Sequence, residues 1–219
     1  MNSTTRTARM WLGTGSALLS AALVFHGPPD TDLTVQLHHV ADGSQRWSIV
    51  HWTAAVSLFL ISGGAFLALF GQAAGENLPG HPGAWMVMAL GALATFTTAV
   101  AEAAVVAEAA HAGEQATFDI WWAFSSGMAN GFFALAIATG FIALAVVRSN
   151  HREMPVWAAA VGTAAGFLSA LGWTLGEHMG VSIGGPVWLI STLAMCLWLV
   201  WFGLAGLRVA HRSAAQTTP

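Results

Sequence analysis

Six apolar runs, at residues 10–26, 50–71, 84–107, 120–147, 156–176 and 187–207, account for most of the chain. Each is near the ~20 residues that a helix needs to cross the hydrocarbon of a bilayer. No water is available there to pair with backbone N–H and C=O groups, so a crossing segment must satisfy them internally, as a helix. Charged residues make up only 8% of the 219 residues, against about 25% in a soluble domain. The expectation is an all-α fold, a polytopic membrane bundle of six transmembrane helices forming one membrane domain over residues 1–219. The first run could instead be the core of a signal peptide. With no small-x-small cleavage pattern before the His26-Gly-Pro-Pro-Asp stretch, a retained helix is expected.

Arginine positions orient the bundle. With six alternating spans, Arg6, Arg9, Arg148, Arg152, Arg208 and Arg212 fall on one side and Arg46 on the other. Cationic loops stay in the cytoplasm, so both termini are expected there, N-in and C-in. The chain has no Lys, and this arginine-only, Ala- and Gly-rich composition resembles that of a GC-rich prokaryotic genome. The expected location is therefore the plasma membrane of a prokaryote, with the lipid bilayer as the main partner. A net charge of −3 and the absence of any basic stripe argue against nucleic acid. Cys196 is alone in an apolar run, which excludes a disulfide or cysteine-cage zinc site within one chain.

Pro28 and Pro29 should stop the first helix, and Thr31 is expected to N-cap a short helix over LTVQLHHVA lying in the interface plane. Glycines four apart (Gly127 and Gly131, Gly162 and Gly166, Gly172 and Gly176) predict close helix contacts. Trp47, Trp52, Trp85, Trp121, Trp122, Trp157 and Trp188 fall near span ends, as an interfacial aromatic belt requires.

Polar residues collect on the side away from the arginines. Asp30, Asp32, Asp42, Glu108, Glu114, Asp119 and Glu177 lie there, with His26, His38, His39, His51, His111 and His178. From that face, three spans carry polar stripes at helical spacing: Thr95, Thr98 and Glu102; Asp119, Trp122, Ser126 and Asn130; Ser169, Trp173 and Glu177. Turned toward one another, they would form an extracytoplasmic-facing pocket bounded by Glu102, Ser126, Asn130, Trp122, Trp173 and Glu177. Glu102 would be its deepest acid.

Glu108 and His111, three apart on one helix, have the spacing used in bundle carboxylate–metal sites. With His51 and His178 they make a candidate transition-metal set for Zn, Cu or Fe. A b-haem needs axial histidines within the spans, and the span interiors lack them. Glu102 also suits a proton-coupled small-molecule carrier, because an ionisable group inside a span faces a cavity or a partner. Ser126 followed by His178 suggests serine catalysis, but no oxyanion donor is identifiable, and no phosphate loop, dinucleotide fingerprint or paired-histidine zinc-protease motif occurs.

The stretch AEAAVVAEAAHAGEQATFDIWWAFSSGMANG, with MCLWLVWFG near the end, is similar to the uncharacterised six-helix integral membrane proteins of actinobacteria and similar prokaryotes. The resemblance implies the six-span topology and brings no function with it. The functional expectation is a non-enzymatic membrane protein whose outer pocket binds a small polar ligand or a metal ion. A carrier using Glu102 and an accessory subunit docking a membrane or extracytoplasmic partner are the alternatives, with a b-haem electron carrier last.

Overall fold

The structure is a computed structural model; it describes residues 3–27, 32–76, 78–149 and 154–216, with side chains described as far as residue 205. The expectations for Pro28, Pro29, Asp30, Thr31 and Arg152, and for the Arg208 and Arg212 side chains, lie outside the described residues. Among the described residues the secondary structure is entirely helical.

Helix α1 (Ser3–His26) is followed by a short helix α2 (Leu33–Asp42) and by α3 (Ser44–Ala73). Then come α4 (Pro82–Ala112), α5 (Gln115–Arg148), α6 (Val156–His178) and α7 (Gly184–Gln216). Six of these, all but α2, include segments long and apolar enough to cross a membrane. They begin and end a few residues outside most of the apolar runs because caps and polar turns prolong them. Asp32 caps α2, its carboxylate accepting from Thr34 N–H at 2.9 Å and Val35 N–H at 3.3 Å. At α4 the His81 ring nitrogen Nδ1 accepts from Gly83 N–H at 3.0 Å, and Pro82 supplies a first turn that needs no donor. Gly113, at φ 71°, ends α4 in the left-handed conformation and turns the chain into α5 within two residues.

Each spanning helix packs on its neighbour in the chain, and α7 returns to α1, so α1, α3, α4, α5, α6 and α7 close a ring. Small residues set the closest approaches. A Cβ on Gly131 would sit 2.8 Å from Thr95 N, and one on Gly166 2.7 Å from Gly140 Cα. Gly127, the other member of the first expected pair, has nothing within 4 Å. Trp52, Trp121 and Trp157 are exposed as an interfacial belt requires, but Trp47 and Trp85 are buried in the core. Trp85 is held there because its indole N–H donates to Pro79 O at 3.0 Å.

Three of the spans depart from regular α-helix, α6 through a terminal π-turn over Thr174–His178. Within α4, residues Glu102–Val106 form a π-turn in which Ala107 N–H donates to Glu102 O, five residues back. Within α5 the helix is interrupted at Asn130, whose N–H reaches Gly127 O. Helix α2 packs over the end of the bundle holding the π-turn, where Leu37, Val40, Trp47, Val106 and Phe118 form a small separate core.

Candidate metal centre

Glu102 opens the π-turn and is 8% exposed. A carboxylate inside a membrane span costs several kcal/mol unless protein groups replace its water, on the order of 3 kcal/mol even by lenient scales. Here α5 and α3 face the carboxylate with polar groups. Ser125 of α5 donates its hydroxyl to Glu102 Oε1 at 2.6 Å. Ser125 is in turn fixed by Thr98, which donates to its carbonyl at 2.8 Å. A π-turn frees backbone carbonyls from the regular ladder, and Ser48 of α3 donates to Ala103 O at 3.0 Å. The bulge that aims Glu102 is thereby tied to α3.

The second carboxylate oxygen, Oε2, lies 2.8 Å from Nε2 of His51, which is 5% exposed. Nδ1 of the same ring is 2.9 Å from Trp47 O. A carbonyl only accepts, so Nδ1 carries a hydrogen and Nε2 is the atom that faces the carboxylate. Oε2 is buried, and this contact is its ion pair with His51 when the ring is protonated. Two lone-pair atoms at that distance repel unless a cation, a proton or a metal ion, sits with them.

His26, at the last residue of α1, completes the group. Its Nδ1 is 2.7 Å from Gly27 O, so the same reasoning turns its Nε2 outward from its own backbone as the unprotonated nitrogen. The His26 and His51 rings are 4.9 Å apart, and one ligating atom from each of His26, His51 and Glu102 lies within 4.8 Å of the others. Ligands of a tetrahedral zinc ion stand about 3.3 Å apart, given Zn–N near 2.0–2.1 Å. Side-chain rotation would have to open the His51–Glu102 pair from 2.8 Å and bring His26 in to that distance. Ligating histidines almost always donate the other ring N–H to a carbonyl or carboxylate, as both do here.

The walls of the cluster are aromatic. Trp47 lies against His51 at 4.6 Å, His26 at 4.9 Å and Trp122 at 6.2 Å, and Trp122 stacks on Phe118 at 5.5 Å. Only His26 is partly exposed, which makes it the mouth of the site. Among the described residues, Glu102 has no arginine partner.

The pocket expected from the three stripes is rearranged. The α4 stripe does face α5, but through Ser125; Ser126 is exposed, and the buried phase of α5 runs through Phe118, Ser125 and Ala129. Asn130 is exposed and accepts from Trp173 Nε1 at 3.1 Å. The α6 stripe turns to α7 instead of α4: Ser169 shares a 2.7 Å hydrogen bond with Thr192, and Trp173 packs on Trp188 and Phe132. Trp122 reaches the cluster through Trp47, whereas Glu177 is exposed at the end of α6.

The four-residue metal set is likewise not assembled. Glu108 and His111 are exposed and line an open groove with Ser44, Gln45 and Ser48, and His178 is exposed on the terminal π-turn of α6, which packs on α7. Of those four, only His51 joins the cluster. Sequence reasoning missed His26 and Ser125. The signal for His26 was depth: it ends one span and His51 opens the next, so antiparallel neighbours bring them level.

No family model, curated protein or solved structure matches the chain, so the geometry alone bears the functional reading.

Proposed function

We propose that this is a multi-pass protein of a prokaryotic plasma membrane, N-in and C-in, that binds a divalent transition-metal ion near its extracytoplasmic face. The ligands are Nε2 of His26, Nε2 of His51 and the Glu102 carboxylate. The observation that carries the reading is the convergence of His26, His51 and Glu102, one ligating atom of each within 4.8 Å of the others, around the buried 2.8 Å contact of Glu102 Oε2 with His51 Nε2. Both imidazoles commit Nδ1 to a backbone carbonyl, leaving Nε2 for the ion.

Two imidazoles and one carboxylate form the ligand type of open zinc sites and of non-haem Fe(II) sites. Of the two, Zn(II) is the first choice, because it imposes no geometry through its d-electrons. The fourth position opens at His26, where a water or a small polar ligand completes the shell. Ser125 and the two carbonyls orient the ligands and do not touch the ion.

The test is elemental analysis of protein purified in detergent without chelator, alongside His51→Ala and Glu102→Gln. About one zinc or iron per wild-type chain is expected, with each variant losing it. Metal-free wild type that also fails to take up Zn(II), Fe(II) or Cu(II) overturns the proposal.

A second reading rests on the same contact. With a proton in place of a metal, the Ser125–Glu102–His51 chain is a buried proton-holding pair suited to a proton-coupled carrier. A pH-driven flux lost in Glu102→Gln in protein free of metal would favour it.

A further inference from the structure

The end of the bundle opposite the histidine cluster has a different character. There the loop before α4 and the last turns of α5 border an open groove of about 790 Å³. Its walls include Val87, Ile137, Phe141 and Leu144, of which Val87 and Phe141 are exposed on the spans. Its rim includes His81 and Arg148.

The rim is held in place from beneath. Gln72 donates from Nε2 to Leu78 O at 3.0 Å and to Gly80 O at 2.7 Å, and Trp85 donates to Pro79 O. Gly80 sits at φ 94°, and a Cβ there would meet Ile142 Cγ1 at 3.2 Å, so the loop backbone presses on α5. These contacts make the groove a formed feature of the fold.

The polar groups at the rim are donors. His81 Nδ1 accepts from Gly83 N–H, so Nε2 is the protonated nitrogen of the neutral ring and points its hydrogen away from the cap. Arg148 is exposed and has no carboxylate partner among the described residues. A guanidinium presents its N–H groups as a fork that fits phosphate. Basic pockets between spans at the arginine-rich side are suited to anionic head groups.

We propose that this groove is a binding site for an anionic phospholipid of the bilayer, its acyl chain along Val87, Ile137, Phe141 and Leu144 and its phosphate on Arg148 and His81. The apolar wall supplies the chain contacts that a free phosphate ion could not use, and the exposed guanidinium supplies the preference for net negative charge. The site stands apart from the metal centre and does not depend on it.

Native mass spectrometry of the full-length protein, released from bilayers of equal phosphatidylglycerol and phosphatidylcholine, tests it. Wild type should retain phosphatidylglycerol at least several-fold over phosphatidylcholine. Arg148→Gln should abolish that preference while retaining wild-type metal content. Val87→Trp, which fills the apolar wall and leaves Arg148 in place, should remove the lipid adduct. Equal retention of the two lipids by wild type, or an undiminished preference in Arg148→Gln, overturns the proposal. So does loss of the adduct on adding inorganic phosphate at the lipid's concentration, which would make the rim a plain phosphate site.

Discussion

Ser125 shows how one hydroxyl separates a buried acid from an unsatisfied one. It is the hydrogen-bond donor on Glu102 Oε1, at 2.6 Å, and its own carbonyl is claimed by Thr98. Ser125→Ala should cost about 1.5–3 kcal/mol of stability in metal-free protein, the range for hydrogen bonds to charged groups. Thermal unfolding in detergent reads that loss. The same change should weaken metal binding about 10–100-fold, the usual effect of removing a ligand-orienting partner; titration with Zn(II) reads it. Ser126→Ala, one residue along on an exposed surface, should leave both unchanged.

Acidity gives a second test at this scale. The ion needs both imidazoles unprotonated at Nε2 and the carboxylate ionised, so protons compete with metal. Affinity should therefore fall on acidification, and metal should be released at the acid end. Affinity that rises on acidification would contradict imidazole ligation. At the residue scale the sequence was half legible. Glu102 stood out because an acid inside a span is rare, but a 3.6-residue repeat read without neighbours has no fixed phase. Ser125 and Ser126 therefore could not be told apart until the packing of Phe118 and Ala129 fixed the inward face.

Among the elements, the π-turn of α4 and the glycines of α5 govern how the helices meet. The π-turn places one extra residue between the first and last parts of α4, and Ser48 ties it to α3 through Ala103 O. Deleting exposed Ala104 should restore a regular helix, keep the first and last parts of α4 in phase and change the aim of Glu102, which the bulge sets. Metal should be lost while far-ultraviolet circular dichroism retains its helical amplitude. Full metal content in the deletion would show that the π-turn is dispensable. The sequence had no means of announcing this turn, since AEAAVVAEAA reads as uninterrupted helix former.

The Gly127–Gly131 pair divides in the same way. Both were expected to be contact glycines, yet one faces open space and the other faces the α4 backbone. Gly131→Ala should destabilise by about 1–3 kcal/mol, the cost of overpacking. Gly127→Ala should be neutral or stabilise by up to about 1 kcal/mol through helix propensity. Equal effects of the two, measured by thermal unfolding in the same detergent, would contradict this packing. The spacing of glycines marks where helices can approach, and only the rotation of each helix decides which of them do.

For the whole molecule, six spans were legible because length and hydropathy alone bear on them, and the six helices long and apolar enough to cross a membrane coincide with the six runs. The ring order was not legible, and it explains why the α6 stripe never reaches Glu102: α4 and α6 are each packed on α5, Ser169 turns to α7, and the Trp173 N–H is taken by Asn130 of α5. What converges at one end is contributed by α1, α3, α4 and α5, with α2 laid over it. The proposed N-in, C-in orientation places that end outside the cytoplasm and the Arg148 groove on the cytoplasmic side. A cysteine introduced at exposed Glu114 should react with a membrane-impermeant maleimide added to intact cells, whereas native Cys196, buried in the core, should stay unlabelled. Labelling at position 114 only after lysis would reverse the orientation and leave the metal centre standing.

An X-ray absorption spectrum of the protein loaded with one equivalent of Zn(II), compared with the same spectrum of His51→Ala, tests the metal centre most directly. Wild type should show a shell of nitrogen and oxygen at about 2.0–2.1 Å with the outer scattering of two imidazoles, and the variant that of one. A zinc ion showing the same imidazole scattering in both proteins, or a wild-type chain that retains no zinc at all, would contradict it.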